Sequence, residues 1–94
     1  MERYIIEVSH DAEPGECARA VKFFLQSGSH FMTHADWGCL DGVHKAFIVM
    51  DADSKEEARG VVPPLFRNRA DIVKLNKFTR EEMDDISSHH PKKK

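Results

Sequence analysis

Early in the chain the apolar residues change from a repeat of two to a helical repeat. That change makes the first unit of the fold a strand followed by a helix. The run Tyr4-Ile5-Ile6-Glu7-Val8 puts Tyr4, Ile6 and Val8 on one face and leaves Arg3, Glu7 and Ser9 on the other, the pattern of a strand with one buried face. Asp11 through Pro14 then supply acids and a proline for a helix start, where a missing N–H costs nothing. Cys17, Ala20, Val21, Phe24 and Leu25 follow at helical spacing, with Arg19 and Lys22 off the stripe. Gly28, between two serines, is expected to stop this helix.

Residues His30 to Asp51 read as a β-hairpin turning at Asp41-Gly42, a strong two-residue turn signal. That register sets Leu40 opposite Val43, Cys39 opposite His44, Trp37 opposite Ala46 and Ala35 opposite Ile48. One hairpin face then carries Phe31, Ala35, Trp37, Ala46, Ile48 and Met50. The other carries His30, Met32, His34, Asp36, Lys45, Phe47 and Val49. Ser54 with Glu57 forms a capping box that opens a second helix buried through Ala58, Val61 and Val62. Pro63-Pro64 ends it, because proline lacks the N–H and keeps the preceding residue out of the helical region. A short helical restart is expected over Leu65 to Ala70 and a last strand over Asp71 to Phe78, with Lys74 and Asn76 on the open side. Thr79 with Glu82 caps a short third helix ending near Ile86, and Ser87 to Lys94 reads as a loose polar tail.

The order strand, helix, strand, strand, helix, strand over residues 1–86 predicts one α+β domain of ferredoxin-like βαββαβ type. Its four-stranded antiparallel sheet carries two helices on one face, with a short C-terminal helix added. At 94 residues the chain has room for one core. Its open sheet face is expected to hold Met32, Ile5, Phe47, Val49 and Ile72, and apolar side chains there call for a partner, most simply a second copy.

Composition excludes several classes. With 14 basic and 16 acidic residues the net charge is −2, which gives no bulk attraction for nucleic acid or anionic membrane. RNA-recognition domains also need aromatics on the open face, and only Phe47 on the third strand qualifies. No apolar run approaches the ~20 residues of a membrane span. Met1-Glu2-Arg3-Tyr4 enters a strand without a signal-peptide pattern. With Cys17 and Cys39 as the two cysteines, a cytoplasmic location is expected.

Val62-Pro63-Pro64-Leu65 at the end of helix two, and a last strand running into Lys77-Phe78-Thr79, resemble the dimeric α/β-barrel superfamily, which includes muconolactone isomerase-like proteins. The resemblance covers Arg3 to Ile86. The stretch Ser29-His30-Phe31-Met32-Thr33-His34-Ala35-Asp36-Trp37-Gly38-Cys39 is similar to small bacterial proteins of unknown function. The resemblance implies a homodimer whose paired sheets enclose a pocket for a small organic molecule, haem or nothing. It carries no enzyme motif onto this chain, and fold alone does not settle chemistry.

Two constellations remain. On the open sheet face, His34 and Asp36 stand two residues apart beside Lys45. In general acid–base work His34 is the acid/base, Asp36 orients it and Lys45 holds an anion. Glu7, Phe47, Met32, Lys74 and Asn76 line the same expected pocket. The second constellation is His30, His34, Cys39 and His44, residue types that bind metal. On a strand His30 and His34 would stand ~13 Å apart, too far to share an ion. Cys39 and His44 supply two ligands across the turn, and two more would have to come from elsewhere. No metal and no cofactor is therefore assigned. Trp37 is read as packing, Cys17 as a buried inert thiol, Cys39 as the better candidate for reactivity, and His89-His90 with the terminal lysines as solvated tail. The leading function is a homodimer with a small-molecule pocket for an organic anion, an isomerase- or lyase-like site without a cofactor. The alternatives are a non-catalytic interaction module on the same face and a metal-binding protein.

Overall fold

The computed structural model describes residues 1–27 and 29–89. The expected helix stop at Gly28 and the tail from residue 90 onward lie outside the described residues. The elements are β1 (Glu2–Ser9), α1 (Glu16–Gln26), α2 (His30–Thr33), β2 (Asp36–Trp37), a 3-10 turn (Cys39–Asp41), β3 (Lys45–Ala52), α3 (Lys55–Gly60), a 3-10 segment (Pro64–Arg69), β4 (Ala70–Leu75) and α4 (Arg80–His89). One four-stranded sheet has the order β2-β3-β1-β4, with every pairing antiparallel.

The alternation of β1 buries Tyr4, Ile6 and Val8 as expected. They pack with Phe24 of α1, Met32 of α2, Ala58 of α3 and the β3 residues Ala46, Ile48 and Met50. Burying a side chain such as Phe24, Ile6 or Val62 contributes about 1.5–3 kcal/mol. Leu25, expected on the buried stripe of α1, is exposed. The cap of α3 forms as read: Ser54 Oγ accepts from Glu57 N–H at 3.0 Å, and Glu57 Oε1 accepts from Asp53 N–H at 2.6 Å. The cap of α4 is reciprocal, Thr79 with Glu82, at 2.8 and 3.1 Å, and the helix runs three residues past Ile86, to His89.

Three expectations are corrected. The long hairpin is absent: β2 spans two residues, and its pairings are Asp36 with Phe47 and Trp37 with Ala46. The Trp37–Ala46 register stands, but His30–Thr33 is a helical turn. Ser29 in extended conformation caps it by accepting from Met32 N–H, and Thr33 Oγ1 donates to the His30 carbonyl at 3.0 Å. This local serine and threonine bonding competes successfully with the sheet. Met32 consequently lies in the core at 1% exposure, not on the open face.

The connection from β2 to β3 is wider than a two-residue turn. Gly38 N–H bonds the Lys45 carbonyl, Val43 N–H bonds the Gly38 carbonyl, and the 3-10 turn Cys39–Asp41 bulges between them. Two glycines permit this. A Cβ on Gly38 would come within 2.8 Å of the Val43 carbonyl oxygen, and Gly42 has φ +83°, a left-handed conformation that side chains disfavour.

The last strand is out of phase with the expectation. Ala70 and Ile72 face the core, so Val73 lies on the open face beside Ile5, and Leu75 beside Arg3. Lys74 therefore leaves the open face for the opposite side, where it pairs with Glu2 at 3.1 Å. A one-residue shift moves every side chain of a strand to the other face. Here the adjacent Ile72-Val73 left the phase ambiguous.

Candidate functional site

Two groups of histidines stand at different places on the fold. The first borders the open sheet face. A cleft of about 250 Å³ is lined by His30, Phe31, His34, Asp36, Phe47, Ile48 and Val49. It unites three of the residues expected in the pocket, His34, Asp36 and Phe47, with His30 of the second constellation. They arrive differently from expectation, since His30 opens α2 and His34 caps its C-terminal end, with ring centroids 4.3 Å apart. The ~13 Å separation belonged to a strand, and helical spacing cancels it.

His34 Nδ1 lies 2.8 Å from the His30 carbonyl oxygen. A carbonyl only accepts, so Nδ1 carries the proton and Nε2 of the neutral ring keeps its lone pair. The orienting contact expected of Asp36 is thus made by the His30 backbone. Asp36 reaches the same cleft from β2, opposite Phe47 in the ladder.

Lys45 lies on the open face but is matched by Glu7 at 3.1 Å, so the two form a partly exposed ion pair. Ile5, Phe47, Val49, Val73 and Leu75 make the apolar part of that face, with Val49 51% and Val73 45% exposed. Lys74 and Asn76 instead line a second cleft of about 670 Å³ with Met1, Glu2, Arg3, Val49, Leu75 and Lys77. There the Lys74 ammonium holds the Glu2 carboxyl below its ordinary value of 4.5. Burial raises the Tyr4 phenol, whose hydroxyl donates to Glu2 at 3.3 Å.

Of the second group the sequence paired Cys39 with His44 across the turn but did not bring in His10. His10 continues the buried alternation of Tyr4, Ile6 and Val8 one step beyond β1, and its side chain is 6% exposed. Its backbone N–H bonds the His44 carbonyl at 3.1 Å, which brings together the end of β1 and the start of β3. The Cys39–Asp41 turn folds Cys39 back against both. A ring nitrogen from each histidine and Cys39 Sγ all lie within 4.8 Å of one another.

His10 Nδ1 donates to the Asp11 carbonyl at 2.8 Å, and Nε2 lies 3.0 Å from Cys39 Sγ. Since Nδ1 holds the ring proton, Nε2 accepts from the thiol. Burial, reinforced by the neighbouring Cys17 thiol, pushes Cys39 up to about 11, so it keeps that proton. His44 Nδ1 is buried with no hydrogen-bond partner among the described residues, a deficit of the kind that costs about 1–3 kcal/mol. Trp37 closes the group on one side, its ring 6.0 Å from His10 and 5.0 Å from Phe24. It acts as packing, as expected. The signal for His10 was its parity with Val8, but Cys39 is 29 residues away in sequence, and no local pattern links them.

Compared with protein families, with functionally curated proteins and with solved structures, the chain matches none. No described helix is long and apolar enough to cross a membrane.

Proposed function

We propose that the chain is a homodimer of ferredoxin-like domains, packed through their open sheet faces, with a small-molecule site at the His34 cleft. The domain reading is supported by the succession of elements and by β1 and β3 at the centre of the antiparallel sheet. The single observation that carries the site is the convergence of His34, whose Nε2 has no hydrogen-bond partner among the described residues, Asp36 and Phe47 in one cleft at the rim of an exposed apolar sheet face. A second copy is the fitting cover because the face is self-complementary. Its apolar middle, Ile5, Val49 and Val73, is bordered by Arg3 and Lys45 as well as Asp51 and Asp71. Two-fold packing sets such a patch against itself.

In this site His34 Nε2 takes or returns a proton on a small organic anion held against Phe47, chemistry of the isomerase or lyase kind that requires no cofactor. Native mass spectrometry of tag-free protein is expected to show a dimer at micromolar concentration, and Phe47→Asp is expected to dissociate it. A clean wild-type monomer overturns the proposal. His34→Ala should then remove ligand binding while the dimer persists.

The non-catalytic interaction reading draws on one observation, the Lys45–Glu7 pair, which leaves that lysine's charge already matched. It is the better account if the dimer carries no small molecule and His34→Ala changes nothing but the cleft.

A further inference from the structure

We propose that His10, Cys39 and His44 form a binding site for a divalent ion of the zinc class, separate from the His34 cleft. Three donors from three segments, the end of β1, the 3-10 turn and the start of β3, bring one sulfur and two imidazole nitrogens within 4.8 Å of each other. Zinc takes this mixture of borderline and soft donors, with metal–nitrogen distances of about 2.0–2.1 Å and metal–sulfur of about 2.3 Å. In a tetrahedron those lengths set neighbouring donors roughly 3.3–3.6 Å apart, so small side-chain rotations suffice.

Two details point to a ligand beyond the grouping itself. His10 donates its outer nitrogen to the Asp11 carbonyl at 2.8 Å and turns Nε2 inward, the arrangement that a metal-ligating histidine ordinarily has. His44 Nδ1 is buried in the same group without a partner among the described residues. The frame is also formed independently of any ion, by the bonds from His10 N–H to the His44 carbonyl and from Val43 N–H to the Gly38 carbonyl, at 3.1 and 2.9 Å.

Binding breaks the Cys39 S–H bond, forms a thiolate–metal bond and releases one proton to solvent. His10 Nε2 gives up the hydrogen bond it accepted from the thiol and turns its lone pair to the metal. Three protein ligands leave a fourth position open. This site lies on the helix-covered side of the sheet end, so it survives or fails independently of the dimer and its cleft.

The test uses the full chain, reduced and stripped of metal, titrated with Co(II) and then with Zn(II) against a chromophoric chelator. The expected result is one ion per chain, with the intense visible bands of a tetrahedral cobalt site and a sulfur-to-cobalt charge-transfer band. Cys39→Ser should abolish the charge-transfer band. His44→Gln, at a partly exposed position, should weaken Zn(II) binding by more than about 10-fold, the least that even a supporting contact is worth. The double variant His30→Gln/His34→Gln should bind Zn(II) as the wild type does. The proposal is overturned if one equivalent of cobalt gives no charge-transfer band, if His44→Gln binds Zn(II) unchanged, or if the His30/His34 variant is the one that loses the ion.

Discussion

The two histidine groups use the same side chain under opposite conditions. His30 and His34 are exposed at the start and the C-terminal cap of a four-residue helix, where water completes whatever the backbone leaves unmet. His10 is 6% exposed beneath Trp37 and His44, and every polar atom near it needs a partner within the fold. Burial turns a tolerant surface residue into one whose neighbours are specified. The exposed pair is open to solvent, whereas His10 is held in one orientation by the Asp11 carbonyl and the Cys39 thiol.

Four experiments break or sharpen this contrast. The largest effect belongs to Phe24, which is 1% exposed and packs on Trp37 and Phe66 at centroid distances of 5.0 and 5.4 Å. Phe24→Ala should cost about 3–5 kcal/mol in chemical denaturation and loosen Trp37 over His10. A cost below about 1 kcal/mol would mean that the buried group does not depend on this packing.

Next is Gly38→Ala, whose Cβ would meet the Val43 carbonyl oxygen at 2.8 Å and Val43 Cβ at 3.1 Å. Overpacking there should cost about 1–3 kcal/mol, a fall in Tm of several degrees for a domain of this size.

The two groups are compared directly by truncation. His10→Ala leaves Cys39 without its acceptor and should cost roughly 1–3 kcal/mol. His34→Ala, at the surface, should stay within about 0.5 kcal/mol of wild type. Equal costs in thermal denaturation would dissolve the distinction between them.

The smallest effect lies at the far end of the sheet. Lys74→Met should return the Glu2 carboxyl upward toward 4.5, followed by an NMR titration. Because Glu2 is depressed in the fold, its contribution is present above the ordinary carboxylate range and is lost as the pH falls through the folded value. An unchanged Glu2 titration in Lys74→Met would remove the ion pair as the cause.

Residues differed in how much of this could be read in advance. The alternation in β1, the Ser54 and Thr79 caps and the Trp37–Ala46 register are carried by neighbours in sequence or by one short turn, and they form as read. The stretch from Ser29 to Thr33 contains apolar and polar residues that suit either a strand or a helical turn. Its signal was Ser29, a capping residue three positions before the N–H it satisfies. The phase of β4 rested on choosing between the neighbours Ile72 and Val73, and hydrophobicity alone does not rank them. Among the site residues, His34 and Asp36 were legible because they are close in sequence, although the backbone between them is not the expected strand. Lys74 and Met32 were misplaced for reasons of phase and element type.

By itself, then, the sequence determined an α+β chain that begins strand then helix, the caps of its later helices, and which histidine, cysteine and carboxylate side chains were at hand. Local hydrogen bonding and apolar periodicity act over a few residues, and those features need nothing more. Only the tertiary structure decided that His10 meets Cys39 and His44, and that β4 turns Val73 rather than Lys74 to the open face. Both outcomes depend on which strands lie side by side and in what register, and that choice is made by burying the whole core together rather than by any one segment.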